Sequence, residues 1–101
     1  LSTVAELQQL VIDFVASRGW NQEPKDLAMS VAIEAAEVME HYQWTKTGER
    51  LPADKVDELA LECADVLWYL LRLADAESID LASALKRKAE INAGRFPAKA
   101  P

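Results

Sequence analysis

A chain whose most apolar helical stretch carries carboxylates at its centre has few ways to fold. Residues 27–39 read LAMSVAIEAAEVM, and only Ser30, Glu34 and Glu37 are polar. Their spacings of four and three put them on one line along a helix. A helix that is apolar nearly all round belongs inside a protein. Residues 59–74 repeat the arrangement. There Glu62, Asp65, Tyr69 and Arg72 step by three, four and three, and Glu58 extends the line one turn back. A surface helix shows the inverse proportions, with an apolar stripe of somewhat over about 100° and polar residues elsewhere.

Four unpaired carboxylates in an apolar interior cost more than a fold can absorb. Protonation, basic partners or metal ions could neutralise them, and few basic residues lie near either stripe. An all-oxygen, multi-carboxylate site suits a hard divalent cation such as Mg2+. The competing reading is a pair of ordinary solvated faces. The E-x-x-E pair (Glu34, Glu37) and the E-x-x-D pair (Glu62, Asp65) each hold Cβ atoms roughly 5–6 Å apart. Antiparallel packing of the two helices would bring all four carboxylates to one level. The single histidine, His41, cannot supply the paired Glu-x-x-His ligands of a di-iron bundle. Scarcity of His and Cys disfavours zinc as well. Mg2+ or Mn2+ remains, and such ions hold phosphates and lower the pKa of a bound water. No Gly-rich phosphate loop is present, so the metals themselves would bind phosphate.

Length and charge narrow the field further. The 101 residues amount to one domain, expected over 1–97 with an extended tail at 98–101. The apolar surface of the two acidic helices exceeds what so short a chain can cover, which predicts an oligomer with a shared core. A net charge of −6 argues against a polymeric nucleic-acid partner and an anionic membrane surface. No signal peptide or membrane-length apolar run is visible. Cys63 is the only cysteine, so no disulfide framework exists, and packing is its expected role.

Four helices account for the chain. Thr3 with Glu6 fits a capping box, and Leu7, Leu10, Val11, Phe14 and Val15 then follow one helical face up to Gly19. Pro24 opens the second helix, which should run to about Tyr42. Residues 45–53 contain Gly48 and Pro52 and form a loop. The third helix should run from near Ala53 to about Glu77. Asp80 can cap the fourth, Leu81 to about Ala93, with Gly94 as its stop. No strand signal appears, and the architecture is an all-α four-helix chain packed as part of a bundle.

In four segments the sequence resembles the MazG-like all-α nucleoside triphosphate pyrophosphohydrolases, closest to the short, single-domain branch that includes the dCTP pyrophosphatases. They are RGW (18–20), EAAEVMEHYQW (34–44), ECADVLWYLLRLA (62–74) and KAEINAGRFP (88–97). The resemblance spans about Trp20 to Pro97. It implies that a nucleoside triphosphate and water give the monophosphate and pyrophosphate, with Mg2+ (or Mn2+) held by Glu34, Glu37, Glu62 and Asp65. Glu37, with Glu34 as the other candidate, would provide the general base. Trp20 and Trp44 match aromatics lining the base pocket. Tyr69 and Lys88 match positions that contact phosphate or sugar, Asn92 one near the nucleotide, and Arg95 a phosphate contact from a neighbouring subunit. A cytoplasmic homotetramer of two tight dimers with a house-cleaning role is the corresponding expectation. The related phosphoribosyl-ATP pyrophosphohydrolases and a non-catalytic helical module are the alternatives. One departure concerns the base pocket. The relatives carry a longer segment before Pro24, usually with an aromatic and a histidine, and this chain has only Glu23 after Gln22.

Overall fold

The computed structural model describes residues 1–99. Four helices follow one another: α1 (Val4–Ser17), α2 (Pro24–Glu40), α3 (Ala53–Ala76) and α4 (Leu81–Arg95). No strand occurs among the described residues. The expected tail at 98–101 runs on to Ala100 and Pro101, which lie outside the described residues. None of the described helices is long and apolar enough to cross a membrane.

Local chemistry sets most helix ends. The Thr3 hydroxyl accepts from Glu6 N–H at 3.1 Å, and the Glu6 carboxylate accepts from Thr3 N–H at 3.2 Å. This reciprocal box satisfies two otherwise free donors. Replacing Thr3 by Ala should therefore cost about 1 kcal/mol, read as a lower midpoint in chemical denaturation. At the other end of α1, Gly19 takes φ +64°, a turn that costs a residue without Cβ nothing. Pro24 stands at the first position of α2. Asp80 caps α4 by accepting from Ser83 N–H at 3.1 Å. That bond holds the Asp80 carboxyl below the usual aspartate range.

Two boundaries differ from expectation. Helix α2 stops at Glu40 rather than Tyr42, and residues 41–44 continue as turns. Gly94 does not end α4, which runs through it to Arg95 and closes with Phe96 N–H donating to Asn92 C=O at 2.8 Å. Pro97 is the actual stop, because a residue before proline is pushed out of the helical region.

Helix α2 lies antiparallel along α3, α1 packs across α3, and α4 rests mainly on α1. The buried apolar residues are few among those described: Val11, Leu27, Leu71 and Ala74. Phe14 packs edge-on between Trp20 and Trp68, with ring centroids 5.6 and 5.4 Å away. The expectation that residues 27–39 form an interior helix is not met within one chain. Leu27 is buried, but Met29, Ile33 and Met39 are 54%, 58% and 69% exposed. The reason is geometric: among the described elements only α3 packs extensively on α2, and it covers one side. Cys63 is also exposed rather than packed. The radius of gyration, 16.6 Å, reflects this openness. A compact domain of this length has about 13 Å.

Candidate metal centre

The antiparallel pairing of α2 and α3 decides where the acids go. Leu27 shares a cavity with Arg72 at one end, and Glu37 and Glu40 share another with Glu58 and Glu62 at the other. Between them, Glu34 faces Glu62 and Asp65. Carboxylate oxygens of Glu34, Glu62 and Asp65 all lie within 4.8 Å of one another. Glu34 and Glu62 are half-buried and Asp65 is exposed. The fourth predicted acid, Glu37, lies against the cluster and raises the pKa of both glutamates.

The electrostatics are those of an uncompensated site. Burial, then the charges and contact of Glu37, Asp65 and Glu62, push the Glu34 carboxyl above its ordinary value. Glu62 is raised chiefly by the contact with Glu37, next by burial and the acidic neighbours, while His41 opposes the shift. Among the described residues no lysine or arginine forms an ion pair with the cluster. The one ion pair among the described residues, Lys55–Glu58 at 3.4 Å, is solvent-exposed and contributes little. Glu34 Oε2 and Glu62 Oε2 are shielded from solvent and have no hydrogen-bond partner. Buried carboxylate oxygens without donors are rare in folded proteins. An all-oxygen donor set with free lone pairs facing one point fits a hard divalent cation.

Beside the cluster opens a cavity of about 500 Å³ lined by Glu37, Glu40, His41, Lys55, Glu58 and Glu62. The remaining predicted residues are distributed around it unequally. Tyr69 is half-buried on α3 one turn beyond Asp65, with the Arg72 guanidinium 5.9 Å from its ring. Trp20 lies in the connection between α1 and α2 and lines a separate cavity. Trp44, 88% exposed, ends the turn after α2. Lys88, Asn92 and Arg95 are exposed on α4, and the Arg95 guanidinium sits 5.1 Å over Phe96. One chain thus gathers the acids but leaves the α4 residues and Trp44 open to solvent.

One side chain had no assigned role. Arg72 is buried and donates from Nη1 to Gln22 Oε1 at 2.6 Å, tying α3 to the connection between α1 and α2. Its signal in the sequence is position: a guanidinium on the acidic line, in a largely apolar helix end.

Antiparallel helices around a carboxylate cluster define an all-α bundle with a set of oxygen donors that could hold a metal ion. No family model matches the chain. A crystal structure of a pyrophosphatase from Archaeoglobus fulgidus superposes with a TM-score of 0.77 at 37% sequence identity, covering 97% of this chain and 95% of that one. Human dCTP pyrophosphatase 1 is 35% identical over 102 residues, and the mouse protein of the same name is 33% identical over 101. The chain spans about 60% of the length of the human protein. The chain belongs to the MazG-like all-α pyrophosphatase family.

Proposed function

We propose that the protein is a divalent-cation-dependent nucleoside triphosphate pyrophosphohydrolase, converting a (deoxy)nucleoside triphosphate and water to the monophosphate and pyrophosphate. The observation that carries this reading is the cluster of Glu34, Glu62 and Asp65, with its two orphaned buried oxygens, in a chain of a pyrophosphatase family. Glu34, Glu37, Glu62 and Asp65 would hold Mg2+, or Mn2+ in its place. Such an ion, when bound, neutralises phosphate charge and lowers the pKa of a coordinated water.

The chain's own residues do the rest. Glu37 reaches the cluster from the cavity side and accepts the proton of the attacking water. The P–O bond between the α- and β-phosphates breaks, and pyrophosphate leaves. Tyr69 orients phosphate or sugar from one turn beyond Asp65. Trp20 and Trp44 stack on the base, and Lys88, Asn92 and Arg95 close on the phosphates and the sugar. The α4 residues and Trp44 are open to solvent in one chain, and a neighbouring subunit would bring them to the site. The exposed apolar face of α2 supports such a homo-oligomer, a tetramer built from two tight dimers around helical domains of residues 1–97. The names of the human and mouse relatives favour a deoxynucleotide such as dCTP. The cellular role would be cytoplasmic removal of surplus or non-standard nucleotides.

The test is a product assay over the eight common nucleoside triphosphates, with and without Mg2+. Metal-dependent release of pyrophosphate and the monophosphate is expected from at least one. Release from none would overturn the reading.

A further inference from the structure

Arg72 is the only buried charged residue among the described residues, at 8% exposure. Among the described residues no carboxylate lies within 4.0 Å of it, although Asp75 stands only one turn away on the same helix. A desolvated guanidinium without an anionic partner is costly. Of its five donors, only Nη1 is used, in the bond to Gln22. Arg72 and Asp75 instead border the same cavity of about 270 Å³, at the junction of α1, the 18–23 connection and the end of α3. Trp20 and Leu27 form its apolar walls. A guanidinium and a carboxylate thus border one space with an aromatic side, and that combination suits a flat, polar-edged ring.

We propose that this cavity receives the nucleobase and that Arg72 and Asp75 read its edge, selecting cytosine or guanine over adenine and thymine. The inference rests on the hydrolase reading for the rest of the nucleotide. Arg72 lies seven residues past Asp65 on α3, about 10 Å along the helix. That separation suits a nucleotide whose phosphates are at the acids and whose base is at the cavity. The planar fork of arginine presents parallel donors and prefers two adjacent acceptors. Guanine offers O6 beside N7, and cytosine offers N3 beside O2. In both, a ring or exocyclic N–H borders that acceptor pair, in reach of an acceptor such as the Asp75 carboxylate. Adenine and thymine alternate donors with acceptors and present no adjacent acceptor pair.

Calorimetric titration of the Mg2+-loaded protein with dCMP, dGMP, dAMP and dTMP, up to millimolar concentration, tests the proposal without requiring turnover. The wild-type protein should bind dCMP or dGMP about tenfold more tightly than dAMP and dTMP. Arg72→Met should erase that preference with an unchanged circular dichroism spectrum, and Asp75→Asn should reduce it. Gln22→Met removes the bond to Arg72 but leaves the guanidinium, so it should retain most of the preference. If Arg72→Met fails to fold, the Asp75→Asn and Gln22→Met pair decides. Equal binding of all four monophosphates, binding of none, or a preference lost equally in Gln22→Met and Arg72→Met would overturn base reading by this pair. Selective binding without hydrolysis of any triphosphate would leave the base site standing and remove the hydrolase reading. Hydrolysis with flat base selectivity would do the reverse.

Discussion

Glu34→Gln should abolish pyrophosphate release while making the metal-free protein more stable. The two effects have one cause. Glu34 is half-buried, its Oε2 has no partner, and three acidic neighbours raise its pKa. A carboxylate that is costly in the free protein and needed in the loaded one stores binding energy for a cation. The neutral amide keeps the shape and removes the repulsion, but it is a poor ligand for a hard ion. Turnover should fall about a hundredfold or more. Tm measured in chelator should rise.

The sign of the pH dependence follows from the same shift. Glu34 and Glu62 titrate above their ordinary value of 4.5 when folded and near it when unfolded. Between those values the folded state binds more protons. The metal-free protein should therefore lose stability as pH rises through the folded values, and regain it as pH falls toward 4.5. Mg2+ should reverse the slope, because binding requires the ionised carboxylates and releases their protons. Thermal scans across pH, with Mg2+ and with chelator, read both slopes. A metal-free Tm that climbs with pH over that window would mean that the four acids do not form one coupled site.

The acidic stripes were legible because their physics is local. Spacings of three and four fix which residues share a helix line, and an apolar surround makes each carboxylate conspicuous. Antiparallel pairing of α2 and α3 then places Glu34 opposite Glu62 and Asp65 without further assumptions. The capping box at Thr3 and the turn at Gly19 were equally readable. Gly94 misled because glycine can stop a helix but does not have to, and Pro97 three residues later does so by steric exclusion. Arg72 was visible as a residue but not as a function. Its significance lies in Gln22, fifty residues away in sequence, and in the missing ion pair with Asp75, and neither follows from periodicity. The burial of α2 was misjudged for a related reason. An apolar pattern states that a surface must be covered, not which chain covers it.

That uncovered surface carries the last prediction: Ile33→Asp should dissociate the protein and unfold it. Ile33 is 58% exposed on α2, between Met29 and Met39, which are exposed to a similar degree. Covering such a side chain fully contributes roughly 1.5–3 kcal/mol relative to leaving it in water. In a two-fold interface each substitution occurs twice, so the loss and the added charge count double. The chain's own core can offset little of this, since Val11, Leu27, Leu71 and Ala74 are the buried apolar residues among those described. A folded monomer is therefore not the expected product. Light scattering should give the wild-type protein a mass that is a multiple of 11.2 kDa and a Tm that rises with concentration. The variant should lose helical circular dichroism together with that mass. A wild-type protein that stays monomeric and folded at micromolar concentration would show that the face of α2 needs no partner. Lys88, Asn92 and Arg95 would then have no neighbouring subunit whose site they could complete.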